Sequence, residues 1–416
     1  MSLAALSVAA LALAVAVSCV TRLNVGLLAV ALAWIVGVYI GGMPVNSVMG
    51  GFPSQLFLTL TGVTLLFTMA QVNGSLDRLA HHAVKSCRGN RGVVPIMFFV
   101  LAAALASMGP GNIATAALVA PMAMTTAASA GIPLFLMAIM VGNGANAGSL
   151  SPFAPTGIIV NGLMARNDLG GLEAETYLYN LGAHAFVAFG GYFLFGGWKL
   201  FGAGGRAGTQ AGPASSPADG AFERRHIATL GLIGLLILSV IFFQVNVGMG
   251  AFAAAVLLVL TGCADDREAI KRMPWNVIIM VCGVTVLIAV LEKAQGIDLL
   301  VSLVARFATK ETVAPLVAFL TGIISVYSST SGVVLPAFLP MVPGLAAELG
   351  GADPFSIAAS MNVGGHLVDV SPLSTIGALC IASAPTDDSR NLFNKLLAWG
   401  LAMTVVGAGV CYLLFG

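Results

Sequence analysis

Apolar residues run in helix-length blocks separated by short polar breaks along nearly all of the 416-residue chain. In the first half the blocks lie near 3–20, 24–41, 54–72, 133–165 and 177–200. A helix needs about 17–25 such residues to cross a bilayer, whereas a membrane barrel shows alternating segments of about 10. The pattern therefore predicts an all-α polytopic membrane protein. Residues 92–130 are too long for one crossing and are broken at S-M-G-P-G-N-I-A-T, residues 107–115. Gly109, Pro110 and Gly111 break a helix where lipid tolerates no free backbone. The segment is either two crossings or a re-entrant hairpin that enters and leaves by one face.

The chain repeats itself. Asn24-Val25-Gly26 recurs as Asn246-Val247-Gly248; Pro53, Gly62-Val63-Thr64 and Asp77 recur as Pro274, Gly283-Val284-Thr285 and Asp298. Ser151-Pro152 and Gly157 recur as Ser371-Pro372 and Gly377. Several identities in order at an offset of about 220 indicate two copies of one unit. Residues 203–220, rich in Gly, Ala, Ser and Pro, read as a polar linker between them.

Charge decides between hairpin and crossings. With a hairpin each half has five spans, so the second half enters the membrane inverted. Placing the amino terminus outside then puts 14 of the 18 basic residues inside, with only Arg166, Lys293, Arg306 and Lys310 outside. That is the expected positive-inside bias. The expected fold is an inverted repeat of two five-span halves, each with a re-entrant hairpin and a broken helix, with both termini outside. Residues 1–20 lack a basic leader and have a counterpart later in the chain, so they read as the first span rather than a signal peptide.

Composition agrees: 58% of residues are hydrophobic and 8% charged, against about 25% charged in soluble domains. A net charge of +1 suggests no nucleic-acid partner. Cys19, Cys87, Cys263, Cys282, Cys380 and Cys411 lack metal or disulfide spacing and read as buried apolar thiols. No nucleophile–base pair appears, so an enzyme with a bound cofactor is not expected.

Inverted repeats with interrupted helices place a transporter's site near the bilayer midplane. The interruptions are the tips around 109–113 and 327–332, and the breaks at 148–157 and 369–377. Ser151-Pro152 and Ser371-Pro372 read as N-cap plus first helical residue, restarting half-helices whose positive ends bind an anion without Arg or Lys. The tips restart helices at Asn112 and Ser331. Asn112, Asn143, Asn146, Ser151, Thr156, Thr330, Ser331, Ser371, Ser374 and Thr375 supply the polar atoms. Such residues often only join helices, but these cluster at four matching breaks. Asp369 is a candidate cation ligand and His366 a candidate for the anion or a proton; alternatively both line a wet vestibule and cap helices. His81, His82 and His226 read as loop residues and His184 as a lone polar position in a span. Paired opposed breaks disfavour a passive channel.

These features resemble the divalent anion/sodium symporters of the ion transporter superfamily. Segment 23–79, from R-L-N-V-G-L-L-A through T-G-V-T-L-L-F, resembles MatC-type dicarboxylate (malonate) carriers. The symporters' tips carry Ser-Asn-Thr motifs that hold substrate carboxylate and sodium. Counting back from Pro121 and Pro340, the matching triplets are Gly111-Asn112-Ile113 and Thr330-Ser331-Gly332. The resemblance implies a first sodium site at Ser107, Gly111, Asn112 and Gly148, and a second at Ser329 and Ser331. Ser331 stands where the family has its second asparagine, and Asp369 is positioned in sequence to supply a compensating charge. It further implies a homodimeric elevator: scaffolds 1–91 and 227–311, carried segments 92–202 (hairpin 92–130, broken span 133–165) and 312–416 (hairpin 312–348, broken span 354–385), and a cytoplasmic linker 203–226. The expected activity is sodium-coupled transport of malonate or a C4 dicarboxylate across the inner (plasma) membrane. Proton coupling and inorganic-anion efflux are the alternatives.

Overall fold

In the computed structural model, residues 2–21, 23–85, 90–201, 222–384 and 389–416 are described. Most of the expected linker lies outside them, as do Cys87 and the basic residues Arg22, Arg88 and Arg206. The described residues form helices and turns and no strand. The first half contains α1 (Leu3–Val20), α2 (Val25–Trp34, continued by a π-turn to Ile40), α3 (Ser54–Val72), α4 (Val93–Met108), α5 (Gly111–Ala130), α6 (Leu134–Ala147), α7 (Pro155–Arg166) and α8 (Glu173–Leu194). The second half repeats that order as α9 (Arg224–Phe243), α10 (Val247–Leu260), α11 (Trp275–Lys293), α12 (Val313–Ser325), α13 (Thr330–Glu348), α14 (Pro354–Leu367), α15 (Thr375–Ala382) and α16 (Ser389–Phe415). Short helices such as Ser75–Lys85 and Gly296–Ala305 lie between.

Among the described residues, seven helical segments are long and apolar enough to cross a membrane: α3, α5, α9, α11, α13, the interrupted Pro354–Ala382, and α16. The chain is a polytopic helical membrane protein. Other apolar helices, such as α4 and α6, are shorter.

The repeated residues turn out to be structural punctuation. Asn24 and Asn246 cap α2 and α10, their side chains accepting from Gly26 N and Met249 N. Two residues on, Gly26 and Gly248 sit where helices cross backbone to backbone. A Cβ on Gly26 would strike Ile279 O, and one on Gly283 would strike Gly26 O. A Cβ on Gly62 would strike Gly248 O, and one on Gly248 would strike Thr59. Thus α2 crosses α11 as α10 crosses α3, and each half locks onto the other through the glycines of the repeated motifs. Small residues allow this close approach, from which membrane helices gain their dispersion energy.

Three apolar clusters follow. One joins α4, α5, α6 and α8 to residues of α12, α14, α15 and α16. A second joins α3, α7, α10, α11 and α13, and a third α1, α2 and α11. Cys263, Cys282, Cys380 and Cys411 are buried free thiols.

Candidate functional site

The first tip is a tight turn between α4 and α5. Gly109 and Gly111 take φ of +138° and +77°, which side-chain-bearing residues rarely adopt. A Cβ on Gly109 would also strike the Phe67 ring of α3. The start of α5 meets the start of α7, where a Cβ on Gly111 would lie 3.0 Å from Pro155 Cδ. Asn112 is buried, and its Nδ2 donates to Asn146 Oδ1 at 2.9 Å. Ser107 Oγ lies 2.9 Å from Tyr177 Oη, and Ser107 O accepts from Ser151 Oγ at 2.7 Å. Gly148 packs against Ala103 O and Ser107 N with no room for a side chain. Ser107, Gly111, Asn112, Gly148 and Ser151 therefore belong to one cluster. Ile113 is exposed and Thr156 is buried in the first turn of α7.

The second tip is built differently. Ser329 Oγ caps α13 by accepting from Gly332 N, and a Cβ on Gly332 would strike Met280 of α11. Thr330 Oγ1 lies 2.9 Å from Asp369 Oδ1, to which it donates, and 3.3 Å from Gly365 O. Ser331 is half-buried beside them. Asp369 thus adjoins the tip, held by Thr330.

The two clusters are linked. Asn146 Nδ2 reaches His366 O at 3.5 Å, so Asn112, Asn146 and the end of α14 form one polar path between the halves. α7 packs on the start of α13, and α15 packs on α5.

Two expectations need correction. The half-helices do not restart at Ser151-Pro152 and Ser371-Pro372. They restart at Pro155 behind Ala154, and at Thr375 behind Ser374, whose Oγ accepts from Gly377 N. Ser151 and Ser371 occupy the preceding turns, and Gly157 and Gly377 let those turns fold back onto Ser151 O and Ser371 O. The physical reason is that a bend of several residues separates the half-helices, so the proline lies in the bend. Ser371 packs against Gly400 of α16, and Thr375 is exposed. Ser374 also donates to Asp369 O, which ties the break to the second tip. Ser374→Ala is expected to lower thermal stability by about 1 kcal/mol, the typical worth of such a cap; a detergent melting series checks it, and no shift would remove the cap from the account.

His184 is not a lone polar position. Thr176, Asn180 and His184 recur at four-residue spacing on α8, a stripe legible in the sequence. Asn180 Nδ2 donates to Asn146 O at 2.8 Å, and His184 Nδ1 donates to Asn143 Oδ1 at 3.0 Å. Sequence reading also missed Tyr177 and Asn362; no spacing signal marks Tyr177. His226 is buried rather than a loop residue: its Nε2 donates to Asn73 O and its Nδ1 accepts from Glu223 N. An apolar groove of about 340 Å³ between Trp34, Met49 and Val286 is lined by none of these polar residues.

Residues 1–149 match the family model for the dicarboxylate carrier protein MatC N-terminus. This region is similar to the amino-terminal part of that carrier family. No curated protein matches the chain. The MatC-type region runs through α6, so Ser107, Gly111, Asn112, Asn146 and Gly148 all fall inside it, while α7 and the whole second half fall outside.

Proposed function

We propose that this protein carries a small dicarboxylate, malonate or a C4 acid, across the inner membrane in symport with sodium. The observation that carries the reading is the buried Asn112–Asn146 pair at a strained tip, inside the MatC-type region and in contact with the start of α7. Two helix N-termini and an amide offer N–H groups to a carboxylate without a fixed cation. Sodium then offsets the dianion's charge, held by Ser107, Gly111, Asn112 and Gly148 on one side and by Ser329, Ser331 and Asp369 on the other.

The inverted repeat and elevator belong to the same reading. The recurring helix order and the reciprocal glycine crossings support the repeat. The apolar cluster shared by both hairpin-bearing segments supports a unit that moves as one body against α1–α3 and α9–α11 of a homodimer. Such a core is cheap to move because it holds few charges.

The deciding experiment is malonate uptake into proteoliposomes under an imposed sodium gradient. Concentrative uptake that needs sodium supports the reading; uptake that follows only a pH gradient, or only equilibrates, overturns the sodium version. In the same assay Asp369→Asn is expected to raise the sodium concentration for half-maximal uptake roughly tenfold, since a charged ligand outweighs a neutral amide by ~1.4 kcal/mol or more. An unchanged sodium dependence would remove Asp369 from the cation site.

A further inference from the structure

The turn that leads from α2 to α3 builds the apolar groove. It contains a short helix, Val45–Met49, and packs on α11: a Cβ on Gly51 would lie 2.7 Å from Ala289 Cβ and 3.5 Å from Val286 Cα. Buried Val48 and Val286 make the floor, while Val30 and Trp34 of α2 and Met49 and Phe52 of the turn stand exposed around it. Every lining residue is hydrophobic, and the volume of about 340 Å³ is that of an ordinary small-molecule site, ~300–1,000 Å³. One end of the groove carries a cation. Lys293 is exposed in the last turn of α11, seven residues beyond Val286 and therefore on the same face. Its Nζ donates to Ser47 O and Ser47 Oγ, both at 2.7 Å, and Ser47 directly precedes Val48 and Met49 of the groove. An ammonium has three donors, so the third remains for a ligand. Glu292, beside Lys293 in the chain, lines a different cavity with Arg166 and Asn167.

We propose that this groove holds one acyl chain of an anionic phospholipid, with the headgroup phosphate at Lys293. The depth suits such a molecule. The groove lies where the chain turns back between two apolar helices, Val25–Ile40 and Ser54–Val72, which is the level of a bilayer surface. Trp34 in its rim packs edge-on to exposed Tyr39 with ring centres 4.9 Å apart, and such aromatic pairs mark the membrane–water interface. A lipid runs from charged headgroup to apolar tail in the same order as Lys293 and the groove. A zwitterionic headgroup brings its own ammonium beside the phosphate, so the lysine favours an anionic lipid over a zwitterionic one. The walls come from both halves, α2 of the first and α11 of the second, so the bound lipid braces the crossing of these two helices. The site is independent of the substrate and ion carried.

Bromine on a lipid chain quenches a tryptophan that it touches, and Trp34 stands in the groove rim. The full-length protein and its Trp34→Phe variant are reconstituted in phosphatidylcholine vesicles with rising fractions of phosphatidylglycerol, or separately of phosphatidylcholine, carrying brominated chains. The difference between the two proteins isolates Trp34 from Trp198, Trp275 and Trp399. Half-maximal quenching of Trp34 is expected at about a fivefold lower fraction of phosphatidylglycerol than of phosphatidylcholine, the worth of one lysine facing an anionic lipid. Lys293→Gln, which keeps a donor for Ser47, should make the two lipids equal, and Lys293→Arg should retain the preference. Equal quenching by both lipids in the wild type, or a preference that survives in Lys293→Gln, overturns the proposal. So does a Trp34 that neither lipid quenches, since the groove would then be covered by protein, such as a second copy of the chain.

Discussion

Asn112→Ala is expected to cut malonate uptake about 10- to 100-fold while the protein still inserts and purifies. The amide has two tasks at the tip. It donates to Asn146 Oδ1, and its own Oδ1 accepts from Ile113 N at the start of α5. Alanine leaves Asn146 Oδ1 buried without that donor and frees the tip, at a cost of ~1–3 kcal/mol. A hydrogen bond to a charged carboxylate is worth a similar amount, which gives the fold-change above. Uptake should be compared with Ser331→Ala at the other tip, where the hydroxyl is half-buried. Malonate transport at the wild-type rate in both variants would reduce the tips to structural turns.

The largest effect on folding is expected at the helix crossings. Gly283→Ala places a methyl group against the Gly26 backbone, and no side-chain rotation relieves it. Overpacking of this kind costs ~1–3 kcal/mol or more, and here the obstacle is main chain, so the upper end is expected. Gly231→Ala on α9 is the control, since a Cβ there meets nothing within 4 Å; helix propensity alone then predicts a gain of ~1 kcal/mol. Detergent melting with size-exclusion readout separates the two. Equal melting temperatures would mean that the α2–α11 crossing relaxes freely.

Much of the helical order was legible in the sequence. Proline and glycine at 109–111 announced a tip where the chain turns with positive φ, because few other residues fit that backbone. The positions of the recurring N-V-G triplets follow from local chemistry, an asparagine capping a helix and a glycine near its start. The half-helix restarts were misplaced by three residues. Local pattern favours Ser-Pro as cap and first residue, but the chain uses that pair to turn, and only the contacts of Gly157 and Gly377 with the turn reveal it.

By itself the sequence determined which segments are helices and roughly where they break, because hydrophobic length, caps and breakers act over a few residues. Tertiary structure alone decided that Gly26 faces Gly283, that Asn112 reaches Asn146 and then His366 O, and that His184 reaches Asn143. These contacts join residues 34 to 257 positions apart. They depend on which helix faces which neighbour, and a stripe of small or polar residues marks a packed face without naming its partner.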